Sequence, residues 1–556
     1  MTELTVKEEV NMTKIQEINV YYCKECNVPV LIESDKNVHK CTLCNAELKY
    51  IGADARPVYP DERLMLEASI GEPLKYIKDS VWNVKGNKYI VNGEPLKLQV
   101  KDIVSNNPDK VRALIETYAE NNTDKYFNEH MDKFIEANKY RLNLISDEAY
   151  NYVQDVAKDY DLDSMFVSFS GGKDSTVVSD IVVKALATTD ILHIFGDTTL
   201  ELASTYEYVK EFKKQNPNIF MRTVRNKEKD FVDLTINNFG PPSRVMRWCC
   251  TIFKTGPISR KIDALFERKR EVLTFYGIRR SESVSRSKYE RDYESPKITK
   301  QRVVGPIIDW KDIEVWLYII SNNILINDAY KVGYSRVGCW CCPNNSSWSE
   351  YMSKLYEPQR YSEWRKILVD FAKKIGKPDP EVYIEEGGWK ARQGGNGLDV
   401  SRTKLSSEVC TTQENAKIYD LKRPIDEDLY ELFKPFGYID KESGRQFINE
   451  VLVINRRTSL PIISIEGQMG STKLKIVILD KKNPSLLEKR IECQITKFQL
   501  CMECLACESV CKHDAIKIKN GRYKINEKRC CGCLECVSHF TGGCYIKKIL
   551  YTKKEV

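Results

Sequence analysis

The sequence predicts a multidomain α/β protein with a parallel-sheet catalytic domain and cysteine modules at both ends. Three observations lead there. The chain has 556 residues, more than one hydrophobic core organises. Short apolar strands alternate with helical stretches between about residues 160 and 345, the pattern of a parallel sheet. The 20 cysteines gather into short C-x2-C units, which in so long a chain read as metal ligation in a reducing compartment rather than disulfides.

Composition narrows the class. Hydrophobic residues at 42% can fill several cores, and 30% charge argues for solubility. No apolar run approaches the roughly 20 residues a bilayer crossing needs. The first residues lack the basic, apolar and small-residue order of a signal peptide. A cytoplasmic protein without a membrane partner is expected. A formal charge of +7 permits contact with polyanions but is no nucleic-acid signature.

Residues 1–20 read as a tail. Over 21–52, Cys23-x2-Cys26 and Cys41-x2-Cys44 form two knuckles whose four thiolates suit one structural zinc, an N-terminal zinc ribbon. A rubredoxin-like iron site and unligated thiols are the alternatives. Residues 53–145 predict a small β/helical connector. It has turns at Gly71-Glu72-Pro73, Gly86-Asn87 and Asn92-Gly93, strands over 88–91 and 97–100, and helices from Asn107-Pro108 onward. Residues 146–350 form the catalytic domain, with strands near 165–169, 191–195, 219–224 and 271–276. The helical stripe Val177, Val178, Ile181, Val182, Ala185 follows the first of them. Over 351–411 a helical extension is expected; Trp364 and Trp389, with Trp348 just before it, read as core, and 387–397 is a glycine-rich connection. A small α+β domain of unassigned role spans 412–492, and a second cysteine module spans 493–556.

Phe169-Ser170-Gly171-Gly172-Lys173-Asp174-Ser175-Thr176 falls between a strand and a helix. Gly171 and Gly172 let backbone N–H groups approach phosphate oxygens, and the helix N-terminus favours negative charge. Lys173 supplies a cation, and Ser170 and Ser175 supply hydroxyls. Asp174 can cap the helix, or hold magnesium if ATP is split with release of pyrophosphate.

These residues resemble the loop of the adenine nucleotide α-hydrolase (PP-loop) superfamily, which implies a Rossmann-like domain binding an adenine nucleotide. Gly196-Asp197-Thr198-Thr199-Leu200-Glu201 occupies the place of the family's Asp-Thr-Gly strand end, with the glycine moved ahead of the aspartate. Gly277-Ile278-Arg279-Arg280-Ser281-Glu282-Ser283 looks like the turn that meets the nucleotide's anionic end. Pro306-Ile307-Ile308-Asp309-Trp310 through Val315-Trp316 is similar to a helix of phosphoadenylyl-sulfate (PAPS) and adenylyl-sulfate reductases. The resemblance implies nucleotide contacts from residues 170–175, Asp197, Thr198, Arg279, Arg280 and Ser283. Lys173, Lys254, Arg279 and Arg280 become the catalytic cations; surface salt bridges are the alternative for the two arginines.

The same resemblance bears on the cysteines. Arg247-Trp248-Cys249-Cys250 and Gly338-Cys339-Trp340-Cys341-Cys342 resemble the 4Fe–4S ligation of adenylyl-sulfate reductases, implying Cys249, Cys250, Cys339 and Cys342 as ligands. A zinc site from the same four, or buried thiols, are the alternatives, and Cys341 is spare. The family's C-terminal Glu-Cys-Gly-Leu-His motif is absent, so no catalytic cysteine is identified. At the C-terminus, Cys501-x2-Cys504-x2-Cys507-x3-Cys511 and Cys530-x2-Cys533-x2-Cys536 with Cys544 resemble a bacterial-ferredoxin-like domain. Its crossed ligation implies one 4Fe–4S cluster on Cys501, Cys504, Cys507 and Cys544, and another on Cys511, Cys530, Cys533 and Cys536. Cys531 is spare.

The expected function is reduction of adenylyl sulfate or its 3′-phosphorylated form to sulfite plus AMP or PAP. Electrons would come from a donor such as a ferredoxin or flavoprotein through three 4Fe–4S clusters, beside one zinc. The alternative is an ATP-dependent sulfurtransferase that thiolates tRNA or DNA after adenylation.

Overall fold

The computed structural model describes residues 15–36, 39–84, 88–295, 298, 300–392, 406–519 and 522–550. The turn expected at Gly86-Asn87, most of the 1–20 tail and the end of the 387–397 stretch lie outside them.

The centre is a six-stranded sheet. Its order is Met221–Val224, Leu192–Gly196, Met165–Phe169, Val272–Tyr276, Gln301–Val304 and Asp292–Glu294. The first five strands run parallel, and the short Asp292–Glu294 closes the edge antiparallel. Met165–Phe169 and Val272–Tyr276 are neighbours whose following loops diverge, the switch point where open α/β sheets bind ligands. Helix Lys173–Ala185 packs Val177, Val178, Ile181 and Val182 against Val167, Leu273 and Phe275 in one core. Helix Asp312–Ser321 closes the same core with Val315, Trp316 and Ile319.

Strands Ile18–Cys23, Val28–Glu33 and Lys49–Gly52 make the N-terminal three-stranded sheet. A second small sheet holds Ala55–Pro57, Val81–Val84, Lys88–Val91 and Glu94–Pro95. The strand expected over 97–100 is absent there. The Asn92-Gly93 turn brings the chain straight back to pair at Glu94 and Pro95, proline has no N–H to continue the ladder, and Val100 already opens helix Val100–Val104.

Four expected boundaries shift. The 145/146 limit falls inside helix Lys139–Ala157, and the 350/351 limit inside helix Ser347–Tyr356. Ser406–Val409, placed in the helical extension, instead edges an antiparallel sheet that continues through Ala416–Asp420, Lys473–Ile478, Pro461–Glu466, Glu450–Ile454 and Tyr438–Asp440. The 492/493 limit cuts helix Pro484–Leu500, whose Ile491, Ile495 and Phe498 join that sheet and the last cysteine module in a single core. Trp348, Trp364 and Trp389 are all buried.

Candidate nucleotide and metal centre

The loop after Met165–Phe169 is tight because Gly171 takes a φ of +72° and packs against Thr205. Ser175 ties it shut: its Oγ donates to the Gly172 carbonyl at 2.8 Å and accepts from the Ser170 amide at 3.1 Å. The Ser170 and Ser175 hydroxyls lie 3.0 Å apart. The Lys173 amide donates to the Tyr330 hydroxyl at 3.1 Å. Gly277 closes the cradle from the neighbouring strand, lying directly against the backbone of Asp174 and Ser175.

A buried charge network fills the space behind this loop. Lys173 Nζ is 3.2 Å from Asp174 and 3.1 Å from Asp312. Arg279 donates through Nε to Asp174 at 2.5 Å and through Nη2 to Asp312 at 2.7 Å. Burial opposes every charge here, yet the pairing prevails: Lys173 and Arg279 titrate above their ordinary values and Asp174 and Asp312 below theirs. Arg280 takes other partners, the Tyr289 carbonyl at 2.9 Å and Asp309. The Ser283 hydroxyl caps the Arg286 amide at 3.2 Å.

Asp54, from the N-terminal region, accepts the amides of Asp312 and Ile313 at 3.0 and 3.1 Å. Burial, and then the charge of Asp312, push its pKa up to about 6. The folded protein therefore holds this proton more tightly than the unfolded chain. The resulting stability is complete below the ordinary aspartate pKa and is lost as pH rises through about 6. Urea midpoints followed between about pH 4 and pH 7 are expected to decline more steeply for the wild type than for Asp54→Asn. Parallel curves would refute the assignment.

The next strand end carries the cysteine cluster. Asp197 is buried and paired to Arg225 NH2 at 2.6 Å, with the Tyr206 hydroxyl at 3.1 Å. Thr198 Oγ1 donates to Glu201 at 2.8 Å and lies 3.7 Å from Cys339 Sγ. Glu201 pairs with Cys339 as an isolated antiparallel bridge, pinning the 338–342 turn to the sheet. The two cysteine pairs converge there. Burial, Glu201 and then Cys250 raise the Cys339 thiol; burial pushes Cys342 up, and Cys250 adds to the rise. The Cys250 thiol and then burial raise Cys249, with Cys341 and Cys339 contributing. Lys254 reaches this pocket, where its charge lowers Glu201 against the rise from burial. Arg247 and Arg336 both act on Cys342, and no carboxylate pairs with either among the described residues.

Two groups among the described residues bring three or more ligand atoms within 4.8 Å of one another. One is Cys23, Cys26, Cys41 and Cys44, with Sγ atoms of Cys23 and Cys44 at 3.4 Å and of Cys26 and Cys41 at 3.8 Å. A tetrahedral ion with metal–sulfur bonds of about 2.3 Å places its thiolates about 3.8 Å apart, so the set fits one such ion. The other is His513, Cys531 and Cys533, so Cys531 has close neighbours that spacing did not reveal. A small pocket opens there, and Cys511, Cys530, Cys533 and Cys536 all line it. The opposite quartet also gathers: Cys501, Cys507 and Cys544 all act on Cys504. Between the quartets the buried Tyr523 hydroxyl stands against Cys507, Cys536 and Cys501. Anionic clusters with sulfide acceptors fit this donor set.

The cysteine module docks on the cysteine-bearing part of the central domain. Leu505 and the Cys504 carbonyl pack onto Gly256, which starts helix Gly256–Leu265. Arg260 of that helix holds Glu508 at 3.2 Å and the Ile518 carbonyl at 2.7 Å. One apolar cluster contains Cys341, Cys504 and Cys544, with Cys249 and Cys339 at its margin. Asp312, Tyr330, Asp54 and Glu201 are the site residues sequence reasoning missed. Two of them had a signal: Glu201 closes the Gly196–Glu201 segment, and Asp312 lies between Trp310 and Val315.

Residues 164–345 match the family model described as a phosphoadenosine phosphosulfate reductase domain. Two uncharacterized proteins of Methanocaldococcus jannaschii are each 29% identical, over 304 and 267 residues, which is 54% and 47% of this chain. The chain spans 60% and 61% of the length of those relatives. The adenosine 5′-phosphosulfate reductase of Oceanobacillus iheyensis is 29% identical over 184 residues, 32% of this chain and 70% of that protein. The crystal structure of a phosphoadenylyl-sulfate reductase from Candida auris aligns with a TM-score of 0.28 and 18% identity, over 38% of this chain and 95% of that one. Among the described residues no helix is long and apolar enough to cross a membrane.

Proposed function

Residues 164–345 belong to the phosphoadenosine phosphosulfate reductase family, and from that premise we propose that the chain reduces an activated sulfate nucleotide to sulfite. One observation carries the reading: Cys249, Cys250, Cys339 and Cys342 converge beside the strand ends that hold the anion loop. The loop amides that Ser175 and Tyr330 do not already take, with the start of helix Lys173–Ala185, bind the nucleotide's phosphate. Asp174 and Asp312 hold Lys173 and Arg279 in fixed places behind it. Lys254 and Arg247 stabilise the departing sulfite and nucleotide oxygens. The S–O bond to the phosphate breaks, two electrons go to sulfur, and the bridging oxygen leaves on AMP or PAP. Iron–sulfur clusters on the three thiolate quartets supply those electrons when bound, and a zinc on Cys23, Cys26, Cys41 and Cys44 is structural.

Asp174 speaks against the sulfurtransferase alternative. Its carboxylate is already neutralised by Lys173 and Arg279, which leaves little for the magnesium that pyrophosphate release requires. Anaerobic incubation of the reconstituted protein with adenylyl sulfate, its 3′-phospho form, or ATP plus tRNA tests the choice. Sulfite is the expected product; pyrophosphate with thiolated RNA overturns the proposal. Replacing Cys501 and Cys530 together by serine is expected to stop sulfite formation driven by a reduced ferredoxin. Undiminished turnover by that variant refutes the relay.

A further inference from the structure

Helix Pro484–Leu500 delivers one charge into the middle of the C-terminal cysteine module. Lys497 is 1% exposed. Its Nζ donates to the Cys536 carbonyl at 2.7 Å and lies 5.9 Å from the centre of the Tyr523 ring. No carboxylate pairs with it among the described residues. Its surroundings are sulfur: Cys501, Cys507 and Cys544 from one quartet and Cys536 from the other. A buried ammonium without a counter-ion is unfavourable, and a lysine shifts or sheds its proton unless negative charge compensates it.

We propose that Lys497 is a positioning residue whose fixed positive charge, shared between the two C-terminal thiolate quartets, raises the reduction potentials of the clusters they hold. The proposal rests on the cluster reading above. Adding an electron makes a cluster more negative, so a cation at this place favours the reduced form of each. Three of its four sulfur neighbours belong to the Cys501, Cys504, Cys507 and Cys544 set. That set also packs on Gly256 of the central domain, so it feels the larger effect and becomes the better electron acceptor. Electrons entering at the Cys511, Cys530, Cys533 and Cys536 cavity, whose Cys533 is exposed, are thereby drawn toward the central domain.

The test is a reductive titration of the anaerobically reconstituted full-length protein, followed by EPR, with iron content measured for every sample. Lys497→Met removes both the charge and the hydrogen bond. Lys497→Gln removes the charge and keeps a donor for the Cys536 carbonyl. Both variants are expected to lower the reduced-to-oxidised ratio at a given poise about tenfold, a shift of 59 mV for a one-electron couple, with Lys497→Arg close to wild type. Unchanged potentials in both overturn the proposal. A shift in Lys497→Met alone also overturns it, by assigning the effect to the hydrogen bond. Wild-type protein with no reducible C-terminal clusters overturns the underlying reading instead, which the iron content and the wild-type spectrum reveal before any variant is compared.

Discussion

Replacing Gly277 by alanine is expected to cost about a hundredfold or more in turnover, with the fold largely retained. An added Cβ would sit 2.5 Å from the Asp174 carbonyl carbon, 2.6 Å from its oxygen and 2.6 Å from the Ser175 nitrogen. All three atoms are backbone, so no side chain can swing aside. What moves instead is the first turn of helix Lys173–Ala185, whose amides form the anion cradle. Isothermal titration with AMP and single-turnover sulfite release measure the loss. Gly338→Ala is the matched control, since its new Cβ meets nothing within 4 Å. Equal activity of the two variants would remove the cradle from the mechanism.

Arg279→Met is expected to destabilise the protein by about 3–5 kcal/mol as well as to abolish nucleotide binding. Arg279 is 4% exposed and bridges Asp174 and Asp312 with separate nitrogens of one guanidinium. Without it two half-buried carboxylates face the single charge of Lys173. Arg279→Lys restores the charge but not the planar fork, so it should recover part of the stability and little of the affinity. Urea denaturation and nucleotide titration separate the two effects. A neutral Arg279→Met would mean that the network is solvated and contributes nothing.

The strands around the anion loop were legible in the sequence because their signals are local. Apolar runs near 165–169 and 271–276 have the length of buried strands, and the Ser-Gly-Gly-Lys-Asp-Ser letters need only a strand before and a helix after. The spacing of Cys23, Cys26, Cys41 and Cys44 likewise announced four thiols that meet. The partners of the charges were not legible. Arg279 and Arg280 are adjacent in sequence, yet one is sealed against Asp174 and Asp312 while the other pairs with Asp309. Only the approach of the 277–283 turn to helix Asp312–Ser321 decides between them, and no local pattern encodes that approach. Tyr330 and Asp54 reach the site from 157 residues after Lys173 and from 258 residues before Asp312, distances at which periodicity carries no information. The domain limit at 493 failed for a related reason. A motif marks where ligands begin, whereas a folding unit begins where apolar surface stops being shared.

That shared surface has a consequence for how the protein comes apart. Because helix Pro484–Leu500 runs unbroken from the antiparallel sheet into the last cysteines, the polypeptide offers proteases no tether to cut between them. A fragment starting at 493 would lose the first turns of its own supporting helix, including Ile491, and bare the underside of the sheet. The C-terminal cysteine module is thus a rigid buttress rather than a swinging one, and hydrogen exchange should report its protection rising and falling together with that of the sheet.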